Sequence, residues 1–196
     1  MGTGRFPELP PDAPRRGNAA SRACARALLT LFGWRVIGEY PDRAKMVAIA
    51  APHTTNWDFV VGILVVFALG LDVRYLGKHT LFRPPLGWLM RWLGGTPVVR
   101  DTPQGAVGDA AETIAREERI LLAVAPEGTR TPGKPWRSGF YNIARAANVP
   151  ILPAAFDYPA KAVRLFPLFE PTGDYAADLP RLQALYSGVR RRDTRA

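Results

Sequence analysis

Cysteine and histidine are scarce in this sequence, and both scarcities limit its chemistry. Because Cys24 has no second cysteine to pair with, an intramolecular disulfide, a thiolate metal cluster and a CxxC redox motif are excluded. The two histidines, His53 and His79, lie far apart in the sequence, which argues against a zinc site. We therefore expect no bound metal and a reducing, cytoplasmic setting.

Long apolar runs are also missing. The longest one extends from Phe59 to Leu71 and falls short of the roughly 20 residues that a membrane-spanning helix needs. Residues 1–18 are rich in Pro, Gly and Arg, where a secretory signal would have a basic segment followed by an apolar one. We expect this segment to be a flexible arm, and we expect a chain that neither is exported nor crosses a membrane.

The positive charge is concentrated at the two ends of the chain. Residues 1–35 carry six arginines against two acids, and residues 189–196 carry four against one, whereas the rest is nearly balanced. Such ends suit a polyanionic surface, either nucleic acid or anionic lipid. A predicted helix over about 19–35 combines arginines with leucines, Phe32 and Trp34, which favours lipid over nucleic acid. Packing of this helix on its own domain is an equally open alternative. If lipid is the partner, the protein is peripheral, on the cytoplasmic side of the plasma (inner) membrane.

The length of 196 residues and the apolar content of 47% indicate one domain with a sizeable core. Short apolar runs of strand length alternate with segments of helical composition along residues 19–196. The sequence therefore predicts an α/β domain whose mixed, largely parallel sheet is flanked by helices. The main predicted strands are 45–51, 73–76, 97–99, 120–125 and 151–156, and the main predicted helices are 57–71, 106–118 and 179–190.

His53 directly follows a predicted buried strand, and Asp58 comes five residues later. On one helix a five-residue step rotates by about 500°, which leaves the two side chains about 140° apart and unable to touch. Thr54, Thr55 and Asn56 are favourable helix caps, so His53 can lie in the turn and Asp58 in the first helical turn. A carboxylate on one imidazole nitrogen makes the other a general base. The alternative is a structural turn histidine beside a capping aspartate.

The loop PEGTR follows strand ILLAVA as the histidine follows its strand, so both clusters should meet at one edge of the sheet. Arg130 offers a planar fork for phosphate, Gly128 permits close backbone approach, and Glu127 can accept from a ligand hydroxyl or hold Arg130. A tight turn braced by a Glu and Arg ion pair is the alternative. Arg100 is the best candidate for a second phosphate contact. Weaker cationic candidates in adjoining loops are Lys78, Arg83, Lys134 and Arg137.

Four ordered blocks resemble the PlsC-like lysophospholipid or glycerolphosphate acyltransferases: HTTNWD, GGTPVVR, APEGTRT and VPILPAA. The resemblance implies the glycerol-3-phosphate acyltransferase fold, with His53 as base and Asp58 as its partner. It also implies that the acceptor's phosphate and glycerol are bound by Arg100, Glu127, Gly128, Thr129 and Arg130. The donor would be an acyl thioester on coenzyme A (acyl-CoA) or acyl carrier protein (acyl-ACP), with no permanently bound cofactor. The expected acceptor is a lysophospholipid, foremost 1-acyl-glycerol-3-phosphate.

Departures from the family pattern leave the acceptor open. Ala125 stands in place of Phe, Thr131 in place of Ser, and Thr55 where Ser is frequent. Another lysolipid, such as lyso-ornithine lipid, is therefore an alternative acceptor. A lipid hydrolase is a rival class, although the serines lack a G-x-S-x-G elbow and Ser138 is the least implausible nucleophile. A catalytically inactive lipid-binding module is the remaining alternative.

Overall fold

The computed structural model describes residues 4–53, 55–98, 103–128 and 134–192. Arg100, Thr129 and Arg130 of the predicted site lie outside the described residues. The strands are β1 (Arg35–Ile37), β2 (Lys45–Ala51), β3 (Val73–Lys78), β4 (Gly95–Val98), β5 (Ile120–Val124), β6 (Ile151–Asp157) and β7 (Ala162–Leu165). The helices are α1 (Ala19–Leu31), α2 (Asn56–Leu69), α3 (Gly87–Trp92), α4 (Pro103–Arg116), α5 (Gly139–Ala146) and α6 (Tyr175–Ala184), with a 3₁₀ helix at His79–Phe82.

The strands form one mixed sheet in the order β1-β7-β6-β2-β5-β3-β4. Neighbouring strands run parallel except β6 and β7, which are antiparallel. This confirms the predicted α/β domain with a largely parallel sheet. Because β2 lies at the centre of the sheet, between β5 and β6, the residues that follow it are placed amid the carboxyl ends of three parallel strands.

Helices cover both faces of the sheet. The side chains of β2 point alternately to one face and to the other. Met46 and Ala48 contribute to the core beneath α1 and α2, whereas Val47 and Ile49 contribute to the core beneath α4, α5 and α6. This alternation follows from the two-residue period of a strand. A strand that is buried on both faces has a continuous apolar sequence, and the sequence of β2, KMVAIAA, is of this kind.

The N-terminal helix is shorter than predicted, and an edge strand follows it. Helix α1 ends at Leu31, and Gly33 then adopts a φ of +79°, a left-handed conformation that glycine tolerates. The three residues of β1, which pattern analysis missed, pair with β7. Helix α1 packs against α2, where the Arg26 guanidinium donates to the carbonyl of Ala68 at 2.8 Å.

The described part of the predicted arm, residues 4–18, lies along the domain. The Arg16 N–H donates to the Gly70 carbonyl at 2.9 Å, and the Asp72 N–H donates to the Pro14 carbonyl at 3.0 Å. Ala13 is fully buried. These hydrogen bonds join the segment to the domain, and its composition does not reveal them.

The closing helix begins four residues earlier than predicted, at Tyr175. Asp174 precedes it, and its side chain accepts the Ala177 N–H at 3.1 Å, which caps the helix. No helix in the part of the chain that the structure describes combines the length and the apolar content that a membrane span requires.

Candidate active site

The turn between β2 and α2 carries His53. Strand β2 ends at Ala51, and α2 begins at Asn56 after the extended cap residue Thr55, whose φ is −135°. Asp58 is the third residue of the helix, where the backbone dipole favours a negative charge. His53 thus precedes the helix and Asp58 lies in its first turn, as the five-residue spacing predicts.

The two side chains face each other. His53 Nδ1 lies 3.7 Å from Asp58 Oδ2, and the His53 side chain is 19% exposed whereas that of Asp58 is fully buried. The contact is longer than a hydrogen bond, as catalytic contacts often are before substrate binds. A carboxylate beside Nδ1 favours the tautomer protonated there, which makes Nε2 the basic nitrogen.

The Asp58 carboxylate is also held by donors from two other places. The Thr55 N–H donates to Oδ2 at 2.7 Å, and the Thr55 hydroxyl donates to Oδ1 at 3.1 Å. The Tyr158 hydroxyl donates to Oδ1 at 2.6 Å. Sequence reasoning missed Tyr158, which lies 100 residues away, directly after β6, in a segment without any recognisable motif. It comes to Asp58 because β6 is the neighbour of β2 in the sheet.

Glu127 joins the ends of β5 and β2. Its Oε2 accepts the backbone N–H of His53 at 3.1 Å, so the carboxylate fixes the turn that carries the histidine. Burial raises the pKa of Glu127; the His53 N–H partly offsets this, and the charge of Asp58 adds to it. The structure shows the backbone of His53 as a partner of Glu127. The partners that the sequence suggests, a ligand hydroxyl or Arg130, stay predictions, and Arg130 lies outside the described residues.

Gly128 and Arg137 lie together beside this carboxylate. Gly128 has a φ of +61°, and its N–H donates to the Ala125 carbonyl at 3.0 Å, which closes a tight turn. A Cβ added at Gly128 would meet Arg137 Cδ at 3.4 Å. Lys78 is exposed at the carboxyl end of β3, on the same edge of the sheet. Arg137 and Lys78 are thus described cations near this edge, whereas Arg100, Thr129 and Arg130 are not among the described residues.

A cavity of about 240 Å³ opens next to Glu127. It is lined by Ala51, Pro52, Glu127, Trp136, Gln183, Tyr186 and Val189. The lining is mainly apolar and includes one carboxyl, one amide and one phenol. Among the described residues, no three His, Cys, Asp or Glu side chains are grouped to hold a metal ion.

Comparisons with known proteins show the family of this chain. A family model described as Acyltransferase matches residues 34–157. A protein of Escherichia coli (strain K12) named 1-acyl-sn-glycerol-3-phosphate acyltransferase is 31% identical over 147 residues, which cover 70% of this chain and 59% of the relative. A protein of the same name from Bacillus subtilis (strain 168) is 27% identical over 150 residues, covering 73% and 74% of the two chains.

A solved structure shares the fold. The 1-acyl-sn-glycerophosphate (LPA) acyltransferase PlsC from Thermotoga maritima aligns with a TM-score of 0.57 and 18% identity, over 88% of this chain and 80% of that one. At this identity the likeness concerns the fold alone. The chain spans 59% of the length of the Escherichia coli relative.

Proposed function

The chain belongs to the acyltransferase family, and from this premise we propose that it transfers an acyl chain from a thioester to the free hydroxyl of a lysophospholipid. The proposed acceptor is 1-acyl-glycerol-3-phosphate, which the names of its relatives support. The proposed donor is acyl-CoA or acyl-ACP. The observation that carries the proposal is the pairing of His53 and Asp58 at the carboxyl end of the central strand.

In the proposed reaction His53 is the general base. Its imidazole takes the proton of the acceptor hydroxyl while that oxygen attacks the thioester carbonyl, and a tetrahedral oxyanion forms. Collapse of this intermediate breaks the C–S bond, and the imidazolium returns the proton to the leaving thiolate. Asp58 keeps the imidazole oriented and stabilises its positive form. Transfer is direct, without an acyl-enzyme.

The phosphate of the acceptor needs cations at the same edge of the sheet. Arg137, next to Gly128, and Lys78, at the end of β3, are described residues suited to this role. Arg100, Thr129 and Arg130 remain proposed contacts from the sequence. Glu127 contributes by holding the backbone of His53.

The test is transfer of labelled acyl chains to a panel of lysolipids, including lyso-ornithine lipid, by purified protein. We expect 1-acyl-glycerol-3-phosphate to be the best acceptor, and His53→Ala and Asp58→Ala to lower kcat by about 10²- to 10⁴-fold without unfolding the chain. His79→Ala is the matched control, because His79 is an exposed histidine at the start of the 3₁₀ helix and takes no part in the proposed reaction. Full activity in His53→Ala contradicts the proposal. Release of free fatty acid without an acceptor, abolished by Ser138→Ala, would indicate a hydrolase instead.

We propose further that the site works at an anionic membrane surface. Large apolar side chains are exposed on three neighbouring helices, and we call them the apolar rim: Leu31 and Phe32 at the end of α1, Trp57 and Val60 on α2, and Leu86 and Trp88 at the start of α3. Trp88 is 70% exposed and Trp57 is 55% exposed. Trp57 directly precedes Asp58, so the rim borders the proposed site.

Arginine side chains lie over two exposed tryptophans, Trp57 of the apolar rim and Trp92 on α3. The Arg192 guanidinium lies 5.5 Å from the ring centre of Trp57, and that of Arg16 lies 5.0 Å from Trp92 on α3. Tryptophan beside arginine suits the boundary between headgroups and acyl chains, where the ring is partly buried and the cation meets lipid phosphate.

Vesicle sedimentation tests the membrane proposal. We expect Trp88→Ser to weaken partitioning to phosphatidylglycerol vesicles roughly tenfold, which is about 1.4 kcal/mol. Arg192→Gln should weaken it less, and Arg116→Gln, on α4 across the sheet, should leave it unchanged. Equal partitioning of the parent and Trp88→Ser would refute the role of the rim.

A further inference from the structure

The Asp58 carboxylate has two oxygens with different surroundings. Oδ2 faces His53 Nδ1 at 3.7 Å and accepts the N–H of Thr55. Oδ1 accepts two hydroxyl groups, those of Thr55 at 3.1 Å and Tyr158 at 2.6 Å. The tyrosine therefore bonds the oxygen other than the one next to the histidine.

Tyr158 is held in place on several sides. Its N–H donates to the Arg190 carbonyl at 3.1 Å, and its own carbonyl accepts the Lys161 N–H at 3.0 Å. The edge of one aromatic ring meets the face of the other where Tyr158 packs on Trp34, with centroids 5.2 Å apart and an interplanar angle of 88°. Because the backbone and the ring are both fixed, the hydroxyl approaches Asp58 from a defined direction.

The hydroxyl remains a donor over the whole working range of pH. Burial, followed by the hydrogen bond to Asp58, raises the pKa of Tyr158 to about 12. A phenol that stays protonated donates to the carboxylate whatever the state of the histidine. A short O–H···O⁻ bond of this kind draws negative charge toward Oδ1 and away from the oxygen that faces the imidazole.

We propose that Tyr158 is a positioning residue, which fixes the Asp58 carboxylate and limits how strongly it attracts the proton on His53. The inference rests on the proposed function, in which His53 is the base. A base that holds its proton too strongly is protonated, and therefore idle, at neutral pH. Tyr158 thus keeps His53 neutral before reaction and keeps the partner carboxylate aligned during it.

The test is Tyr158→Phe, which removes the hydroxyl and keeps the ring. Without this donor, more of the negative charge of Asp58 lies on the oxygen that faces His53, so the imidazole should titrate about half a pH unit higher. The expected shift is small because only part of the energy of one hydrogen bond reaches the histidine. The acid limb of the kcat/KM profile should move upward with it. We expect kcat to fall about tenfold, equivalent to about 1.4 kcal/mol, with KM little changed.

Imidazole NMR measures this titration without any need for activity. The chain has two histidines, so the His79→Gln variant assigns the His53 signals. Tyr40→Phe is the matched control, because the Tyr40 hydroxyl is buried and meets no hydrogen-bond partner within the described part of the chain. It should leave the titration and kcat unchanged. In an Asp58→Asn background, Tyr158→Phe should shift the titration no further.

Two outcomes separate the inference from the proposed function. An unshifted His53 titration in folded Tyr158→Phe overturns the inference even if His53→Ala is inactive. Full transfer by His53→Ala overturns the proposed function, while the NMR shift still reports on the contact. If Tyr158→Phe does not fold, 3-fluorotyrosine at position 158 is the second variant. It is a stronger donor of nearly the same size and should move the titration downward, so a shift upward or no shift contradicts the inference.

Discussion

Replacing Glu127 with alanine removes the side-chain acceptor of the His53 N–H, a contact of 3.1 Å. A hydrogen bond to a charged group contributes about 1.5–3 kcal/mol. If this bond serves to position the base in the transition state, its loss lowers kcat by about 10- to 150-fold. Glutamine keeps a carbonyl acceptor in the same place, and a neutral bond retains about half of that energy, so Glu127→Gln should lose about tenfold or less.

The two variants are assayed for acyl transfer over a range of acceptor concentrations. We expect the loss in kcat, with KM changed little, because the bond holds the enzyme's own backbone. If Glu127 instead serves mainly to bind a hydroxyl of the acceptor, alanine raises KM and leaves kcat near the parent value. That result, or equal loss in Glu127→Gln and Glu127→Ala, would refute the positioning role.

The pH dependence of stability gives a second measurement on Glu127. Its pKa lies above its usual value of 4.5, chiefly because of burial, so the folded state resists ionisation of this group. The stability it contributes is present at acid pH and is lost as pH rises through the raised pKa. Glutamine cannot ionise, so urea denaturation of Glu127→Gln should lack this loss at higher pH. The same decline in both proteins would contradict the assignment.

The remaining predictions concern Asp178, a fully buried carboxylate that ties α6 to the rest of the domain. Its Oδ2 accepts the Tyr141 hydroxyl at 2.8 Å and the Thr172 N–H at 2.7 Å. Because Asp178→Ala leaves these buried donors unpaired, it should lower the free energy of unfolding by about 3 kcal/mol. At this chain length the melting temperature should then fall by roughly 6–12 °C, and a change below about 2 °C in calorimetry would contradict it. Burial raises the pKa of Asp178, but the bonds from Thr172 and Tyr141 and the charge of Arg181 outweigh it and leave the pKa below its usual 3.8. This contribution is complete above that value and is lost as pH falls below it, so the difference in unfolding free energy between the parent and Asp178→Asn should be largest near neutral pH and should shrink as pH falls through the lowered pKa.

Local chemistry accounts for much of the fold. KMVAIAA is a strand because a continuous apolar run suits burial on both faces, and the cap residues before Trp57 start α2 where the spacing predicts. The predicted ends of helices and strands were less accurate wherever a helix cap or a tertiary contact decided the end. Helix α6 begins earlier in the chain than predicted because Asp174 caps it, and β1 forms because it pairs with β7.

The five-residue spacing alone predicted that His53 lies before the helix and Asp58 within its first turn, because helix geometry permits no other way for the two side chains to meet. It could not determine what else touches them. Glu127 reaches the His53 backbone, and Tyr158 reaches Asp58, because β5 and β6 are the two sheet neighbours of β2. Strand order depends on the packing of the whole chain, and a pattern read along the sequence carries no information on which strand lies beside which. The proposed catalytic pair could therefore be predicted from local sequence, whereas the groups that hold it were decided by the tertiary structure.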